Sequence, residues 1–580
     1  MYLLAPRTLV RLSILAICLY TSSMGYAQTY LNNFQKVFDP LGTSRVTALT
    51  YDSHDEYSYT GIYHPESSDF RARMIISHLN PDFTTQWTKA YAATINNQEQ
   101  GRILPRDLFQ TNDQGHVSCG TFVAQEFNDG AYLMKTRPNG DVEWFRTYPR
   151  IQELKSVVQT EGYNGDTRYI ACGRARMSNN AVVAVVICTD SVGSIIWAKH
   201  MYGTKYDLIG HNAYNQVINY RPFIQGGVEP GPDPGPNDPI DPGDLDIGGF
   251  VIDRGGIGGG DIVGGRLPGS GDWNDPNPGD DPDPDPTPEP GDIPPSDHMK
   301  LFALCGDANY NKLSRDRDVL FTIIDIDGNV HVNETYGYTA PNSHHGQSES
   351  GISLAQLNDG TADLVIAANT MKSSYGLASD LAGTYVRHAP MLLRVRNNGS
   401  VVWANMYRDK KFPSKVSRVI VRNRLLDDAP TGSASAQARE IAVTGVSMTS
   451  LFNPSRSADA MLFRTRLTGQ PLGIEYFGSK GHENSVSLRD NVSGNIVMIG
   501  NSTSFPTADS ASRNVVYLVE RYDNIEQPCH DARKKLRHRP IEIKNVRAEN
   551  LSVDHPAERL PVKGRDIDVK ERIICDKIPL

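Results

Sequence analysis

The sequence predicts an all-β protein, a seven-bladed β-propeller closed by an N-terminal strand. It also predicts a disordered Pro/Gly/Asp-rich insertion and a short C-terminal β extension. A hairpin with one tryptophan slot recurs along the chain, a second shared block precedes each copy, and no segment shows a helical period. Together the two blocks supply four strands in about 45 to 60 residues, the size of one propeller blade.

The repeated hairpin is clearest at residues 133–148, LMKTRPNGDVEWFRTY, where an apolar strand, an Asn-Gly turn and a Trp-to-Tyr strand follow one another. Further copies, the last two without tryptophan, stand at 75–91, 185–203, 392–407, 321–337 and 462–478. Four of the five tryptophans fall in this slot, which makes chance a poor explanation. We therefore expect the slot residues to pack neighbouring blades together: Trp87, Trp144, Trp197, Trp403, Tyr91, Tyr148 and Tyr407.

The block upstream of each hairpin ends in a small residue and glycine, as at 108–120 and 157–173. The units begin near Val46, Leu108, Val157, Val217, Leu354, Val419 and Val486. The last unit lacks its outer strand, and FQKVFDPLG at 34–42 has that strand's spacing. We expect Phe34 and Phe38 to fill the two aromatic slots and to close the ring, which removes open sheet edges.

Residues 1–27 have the features of a secretory signal peptide, with two arginines before an apolar run and Gly-Tyr-Ala at the end. Lipidation at Cys18 is the alternative for this segment. No later apolar run approaches the roughly 20 residues that cross a bilayer. The sequence therefore predicts an exported protein without a transmembrane segment, at the cell surface, associated with the outer membrane, or in the periplasm.

The net charge of −9 is unevenly distributed. Residues 224–297, inserted in the fourth unit, are dense in Pro, Gly and Asp and should stay extended, because they cannot bury enough apolar surface. A solvated loop is the main interpretation. A partner-docking arm through 247–265 and weak calcium association are the alternatives. The rest of the propeller region is close to neutral, which gives no reason to expect nucleic-acid binding.

Residues 529–580 form a mildly basic tail in which 541–553 and 566–578 alternate like strands, and we expect a small appended hairpin. Cys529 and Cys575 flank this tail and are the disulfide candidates in an oxidising compartment. Opposite charges on tail and insertion leave head-to-tail assembly open, and the oligomeric state is not predicted. Four other cysteines are expected to be small buried thiols: Cys119, Cys172, Cys188 and Cys305.

Motifs that carry chemistry are scarce in this sequence. DIDGN at 325–329 resembles part of a calcium loop but occupies a hairpin position, which favours a plain turn. His344 and His345 are adjacent but have no partner at ligand spacing. The chain has no nucleophile turn, phosphate-binding glycine loop or zinc cysteine pair. No catalytic, cofactor-binding or metal-binding residue is therefore predicted.

The hairpin motif resembles the Asp-box hairpin of sialidase-like propellers and the tryptophan-docking repeat of quinoprotein dehydrogenases. In both families the motif is structural, so the resemblance implies a fold and not catalysis. The chain lacks the adjacent cysteines that quinoprotein dehydrogenases typically use. Over about 28–528 it resembles the exported propeller-repeat proteins of Bacteroidetes-type bacteria, on the evidence of 133–148 with its copies and of Tyr26-Ala27-Gln28. Its tail lacks the YPNP-like start of their sorting domain.

Two functions remain after these observations. The first is a non-catalytic propeller that binds a protein or glycan partner in a cell-envelope assembly, with specificity in its loops and without a cofactor. The alternative is a propeller enzyme, a hydrolase, lyase or quinoprotein, that uses the axial channel. Convergent carboxylates, arginines or histidines at one mouth of the ring would favour the enzyme, whereas bare turns would favour the scaffold.

Overall fold

The structure is a computed structural model whose chain divides into two units, residues 1–223 with 298–580, and residues 224–297. It describes residues 34–39, 42–51, 56–65, 72–95, 98–124, 129–177, 181–202, 213–221, 300–309, 317–338, 348–357, 359, 361–372, 387–408, 413–425, 437–448, 458–478, 481–491, 494–504, 514–521, 531–534, 537–540, 543–547, 549–552, 558–559, 562–566 and 570–575. All the secondary-structure elements in these ranges are β-strands, which confirms the all-β prediction for this part of the chain. No helix in the same ranges is long and apolar enough to span a bilayer.

Several of the strands before the tail are joined by short turns, as the Asn-Gly and Asp-Gly signals predict. The first of them are β1 (Phe34–Asp39), β2 (Gly42–Tyr51), β3 (Tyr57–Pro65), β4 (Arg73–Leu79), β5 (Thr85–Ile95), β6 (Gln98–Gln110), β7 (His116–Ala124), β8 (Gly130–Thr136), β9 (Val142–Tyr148), β10 (Ile151–Glu161), β11 (Thr167–Arg176), β12 (Val182–Thr189) and β13 (Ile195–Tyr202). They are followed by β14 (Ala213–Tyr220), β15 (Leu301–Asn309), β16 (Arg317–Asp325), β17 (Val330–Tyr338), β18 (Ser348–Gln356), β19 (Leu364–Lys372), β20 (Arg387–Val395), β21 (Val401–Arg408), β22 (Ser414–Leu425), β23 (Gln437–Met448), β24 (Ala458–Arg466), β25 (Pro471–Phe477), β26 (Glu483–Asp490), β27 (Ile496–Ser502) and β28 (Val515–Arg521).

These strands pair antiparallel in consecutive fours, and each four is called a series below. The series are β2–β5, β6–β9, β10–β13, β14–β17, β18–β21, β22–β25, and β26–β28 completed by β1. The first two series form one continuous sheet, which differs from the separate blades predicted. The reason is local, because β5 and β6 are long enough to pair with each other where Ala93 lies opposite Gly101.

Successive series pack face to face through apolar side chains. Each cluster of buried residues recorded for the described chain lies between two neighbouring series. One of these clusters joins β2–β5 to the series of β26–β28 and β1, so the contacts between series form a closed cycle. The fold is therefore propeller-like, with its core divided among the faces between series.

Every first strand carries a β-bulge at the same place. One residue is skipped where the first strand pairs with the second, and the skipped residues are Thr47, Arg106, Lys155, Asn215, Ile352, Ser417 and Val486. A glycine normally stands beside the bulge on the second strand, because a Cβ on Gly173 would lie only 2.0 Å from the Glu153 carbonyl oxygen. This crowding explains why the upstream sequence block ends in a small residue and glycine.

The tail contains further strands, β29 (Asp531–Lys534), β30 (Arg537–Pro540), β31 (Ile543–Arg547), β32 (Glu549–Ser552), β33 (Glu558–Arg559), β34 (Val562–Asp566) and β35 (Lys570–Cys575). Each of them adds antiparallel to the outer strand of a different series. In reverse chain order β29 pairs with β25, β30 with β21, β31 with β17, β32 with β13, β33 with β9, β34 with β5, and β35 with β1.

The predicted C-terminal hairpin is therefore wrong. Residues 541–553 contain β31 and β32, and these strands pair with two different series instead of with each other or with β35. An isolated two-stranded hairpin is marginal in water, whereas the outer strand of every series offers unpaired backbone donors and acceptors. The alternating pattern indicated strands correctly but could not indicate their partners.

Some predicted features lie outside the described residues. They are the signal peptide 1–27 with Cys18, the insertion 224–297, the histidine pair His344 and His345, and Cys529. Cys575 is the last residue of β35, opposite Gln35 in the backbone pairing.

Candidate functional site

The skipped residues of the seven bulges line a single cavity of about 450 Å³. Since each comes from the first strand of a different series, the cavity lies where the first strands converge. A bulge turns the extra side chain out of the regular alternation, which places one residue per series at this wall. None of these residues was predicted from the sequence to line a site, although a glycine beside six of the seven bulges marked their positions.

The cavity wall carries more positive than negative side chains. Arg106, Lys155, Arg174 and Arg418 line it together with Asp107 and Glu153. Glu153 is buried and forms ion pairs with Arg106 and, at 3.0 Å, with Arg174. Two guanidinium groups thus hold one carboxylate.

Lys155 is the amine of this cavity. Its Nζ donates a hydrogen bond to Asn215 Oδ1 at 2.7 Å, and the Asn215 amide donates to Asp307 at 3.1 Å and to the Gly351 carbonyl at 2.6 Å. Burial lowers the pKa of Lys155, and the negative charges of Asp307 and Glu153 offset only part of this effect. A lysine in this environment is more readily neutral than one in water, and its position is fixed by the asparagine.

In three series the side chain of the residue after the bulge accepts a hydrogen bond from the next series. The acceptor receives the backbone N–H of the next first strand, which ties the inner strands together around the cavity. The bonds run from Val157 N to Asp107 Oδ2 (3.2 Å), from Leu354 N to Gln216 Oε1 (2.7 Å) and from Val419 N to Ser353 Oγ (3.1 Å).

Arg418 occupies the same position after its bulge but has no acceptor to offer. Its side chain lines the first cavity and also a second one of about 420 Å³, which Arg489 lines as well. Within the described residues, the buried Nε of Arg418 has no hydrogen-bond partner. Burial lowers the pKa of Arg418. It lowers that of Arg489 to about 10, helped by the like charge of Arg418.

The predicted slot residues lie on the outer strands of their series and contact the turn of the next series. Trp87, Trp144, Trp197 and Trp403 would each lie against a Cβ placed on a turn glycine, which is Gly140, Gly193, Gly328 and Gly469 in turn. The hydroxyl groups of three predicted tyrosines donate to glycine carbonyls of those turns: Tyr91 to Gly140 (2.8 Å), Tyr148 to Gly193 (2.7 Å) and Tyr407 to Gly469 (2.7 Å).

The other predicted residues are distributed as follows. Phe34 and Phe38 lie on β1, which pairs with β28, and the ring of Phe38 is buried 5.8 Å from that of Tyr59. In DIDGN the Asp325 carboxylate accepts hydrogen bonds from its own turn, including the backbone N–H of Asn329 at 2.8 Å. This carboxylate therefore stabilises the hairpin turn, as the plain-turn interpretation predicts. Burial raises the pKa of each of the buried thiols of Cys119, Cys172, Cys188 and Cys305.

Comparison with known proteins bears on the fold and not on the family. No family model matches the chain, and no curated protein matches it. A solved structure to which it is similar is fructan 1-exohydrolase IIa from Cichorium intybus, at 9% sequence identity and a TM-score of 0.26, covering 92% of this chain and 98% of that one.

The charged lining of the first cavity contradicts the function expected from the sequence. We predicted a non-catalytic scaffold that acts through a protein or glycan partner, and bare turns at the mouths of the channel would have favoured it. That prediction is wrong by its own criterion, because charged side chains from several first strands converge on the axial cavity. The alternative, a propeller enzyme that uses the channel, fits this arrangement better.

Proposed function

We propose that this chain is an exported, seven-bladed β-propeller enzyme that acts in its axial cavity. Each series is one blade, since every series contributes one bulged residue to the same cavity and one face to each neighbouring cluster. In this proposal Phe34 and Phe38 close the ring, and the tryptophans and tyrosines of the outer strands pack blade on blade. Export rests on the signal-like residues 1–27.

The proposed reaction is a β-elimination, the lyase option, with Lys155 as the proton-accepting base. One observation carries it, which is a partly buried lysine of lowered pKa that faces a cavity rich in arginine. A base is most effective when its pKa approaches the working pH. Guanidinium groups lower the energy of the carbanion-like state that forms when a proton leaves the carbon beside a carboxylate.

The carboxylates of the cavity favour elimination over hydrolysis. A glycoside hydrolase needs one carboxyl group that can carry a proton to the leaving oxygen. Glu153 is held between two guanidiniums, and Asp107 accepts hydrogen bonds from Ser156 Oγ at 2.7 Å and from the Val157 N–H. Both carboxylates are thus engaged by donors of the cavity wall, and neither is left to approach a leaving oxygen.

The elimination balances without a further reagent. Neutral Lys155 removes the proton from the carbon next to the substrate carboxylate, and the electron pair forms a carbon–carbon double bond. The bond from the adjacent carbon to the leaving oxygen breaks. The Lys155 ammonium returns its proton to that oxygen and becomes neutral again.

The test is an assay of acidic polysaccharides, in which the conjugated double bond of the product absorbs ultraviolet light. We expect product from at least one polyuronate, and Lys155→Gln should lower kcat by about a hundredfold or more. Lys89→Gln is the matched control, because Lys89 pairs with Asp141 at 2.7 Å on the outer strand β5, away from the cavity. Hydrolytic products without the double bond, or full activity in Lys155→Gln, would refute the elimination.

A further inference from the structure

We infer that Arg418 binds the anionic group of the substrate at the junction of the two axial cavities. The inference rests on the proposed function and adds the position and the charge of the group that is recognised. Its basis is a departure from a repeated pattern. The residue after the bulge is small or able to accept a hydrogen bond in the other series, as Ala48, Asp107, Ser156, Gln216, Ser353 and Ser487.

An arginine at this position cannot form the bond that the equivalent residues form with the next series. Asp107, Gln216 and Ser353 each accept a backbone N–H, and a guanidinium has only donors. The buried Nε of Arg418 has no partner within the described chain. A buried charged donor without an acceptor is costly, so this side chain is suited to an acceptor that arrives with a ligand.

The charges around Arg418 leave a local excess of positive charge. Arg489 lines the second cavity, and its positive charge and that of Arg418 repel each other. The acids at hand are Asp107, which is committed to Ser156 and Val157, and Asp490, whose pKa is raised by burial. An anion between the two arginines would balance them.

The shape of the site selects the class of ligand. Arg418 lines both cavities. The first cavity, which the Lys155 amine also lines, has a volume of about 450 Å³. That volume is typical of small-ligand sites. A planar guanidinium matches a carboxylate through two parallel hydrogen bonds, and it can also bind phosphate or sulfate. The ligand is therefore a sugar acid or a similar oxyanion. Its anionic group contacts Arg418, and the rest of the molecule extends into the first cavity.

Binding can be measured apart from turnover by calorimetry. The probes are a uronic acid oligosaccharide, the neutral oligosaccharide of the same length, and inorganic phosphate. Arg418→Gln is the informative variant, because Gln216 already occupies the equivalent position in another series and the fold accommodates it. Arg466→Gln, on the exposed end of β24, is the matched control.

We expect the acidic sugar to bind in a salt-dependent manner and Arg418→Gln to weaken it by about ten- to a hundredfold. Arg418→Lys should recover part of the loss, and the neutral sugar should bind weakly to all variants. Phosphate binding stronger than that of the acidic sugar would move the ligand class from carboxylate to phosphate. Unchanged affinity in Arg418→Gln, or no binding of either anion, would overturn the inference.

The two proposals fail in different ways. Acidic sugar that binds through Arg418 but is never converted would refute the elimination and leave the binding site intact. Elimination with an unchanged KM in Arg418→Gln would refute the binding site and leave the reaction intact. Lys155→Gln should bind the acidic sugar with near-normal affinity while its turnover is lost.

Discussion

The hydroxyl group of Tyr148 donates a hydrogen bond to the carbonyl oxygen of Gly193, 2.7 Å away on the turn of the next series. The same glycine has a φ of +79°, and its α-carbon is covered by the ring of Trp144. One residue thus forms the turn, accepts the hydrogen bond and receives the tryptophan. The turn glycine is as much a part of the contact between series as the aromatic residues are.

Gly193→Ala should destabilise the protein more than Gly165→Ala. Both glycines have positive φ, +79° and +76°, so both substitutions carry the same backbone strain of about 1–2 kcal/mol. A Cβ at Gly193 would lie 2.8 Å from Trp144 Cζ3, whereas no atom of the described residues lies within 4 Å of one at Gly165. Overpacking should add about 1–3 kcal/mol. Thermal and urea unfolding of the two variants measure the difference, and equal losses would contradict it.

Gly173→Ala should damage the bulge beside the cavity. Its Cβ would lie 2.0 Å from the backbone carbonyl oxygen of Glu153, which cannot move without shifting the strand that carries Lys155. We expect a loss of at least about 2 kcal/mol and weaker binding of acidic sugars. Gly473→Ala is the matched control, because that glycine lies in a strand with open space around its α-carbon. It should be neutral or slightly stabilising, and similar behaviour of the two variants would exclude the role given to the bulge.

His388 should make the protein less stable in mild acid. Burial, together with the nearby Lys415 charge, lowers the pKa of its imidazole from 6.5 to about 4 in the folded state. Between these pH values the unfolded chain binds a proton that the folded chain does not, so stability falls as the pH drops from 6.5 to 4. Since the side chain is partly exposed, screening reduces the effect to about 1–2 kcal/mol.

The matching variant is His388→Gln, which removes the titrating group. Urea unfolding at pH 7 and pH 4.5 should show a smaller loss in the variant than in the natural chain. The change at pH 7 serves as the reference, because His388 is then largely neutral in both states. An identical loss in both proteins would rule out this histidine as a source of the acid sensitivity.

Removal of residues 529–580 should expose the outer strand of every series. Open strand edges pair with other chains, so we expect larger species in light scattering and a melting temperature lower by about 5 °C or more. Removal of residues 570–580 alone takes away β35 and should have a smaller effect, since it exposes only the edge of β1. A monomer of unchanged melting temperature after the longer deletion would show that the tail strands contribute nothing to stability.

The sequence predicted the inner part of the fold because its signals are local. Hairpin turns, alternating strands and the aromatic slots recur within each unit, and predicted unit starts such as Leu108 and Val217 lie in first strands. The segment 34–42, expected to supply the outer strand that the last unit lacks, pairs with β28 through residues 34–38. The tail strands could not be assigned, since their alternation reveals a strand but the outer edges that accept them are spread over the whole chain.

The candidate site was missed for a similar reason. Arg106, Lys155 and Arg418 are ordinary charged residues in sequence, separated by long stretches of chain. Only the bulges bring them to one wall, and a bulge has no direct sequence signature apart from the glycine that faces it. Aligning the residue before each predicted unit start would not have set Arg418 apart, because Arg45 stands before Val46 and the starts Val46 and Val486 are out of register with the other five relative to the bulges.

The sheet that contains β1 has a consequence for the order of events during synthesis. Residues 34–39 are made early, yet their neighbours are β28, the last strand of the seven series, and β35, the last strand of the tail. Closing such a long loop costs chain entropy, and long-range strand pairing of this kind is slow. Until β28 has been made, the early strand has neither partner and remains open to chaperones and proteases. A chain stalled during synthesis therefore differs from a finished one in having β1 unpaired. The sheet of β26–β28, β1 and β35 forms only when the chain has been made through to β35.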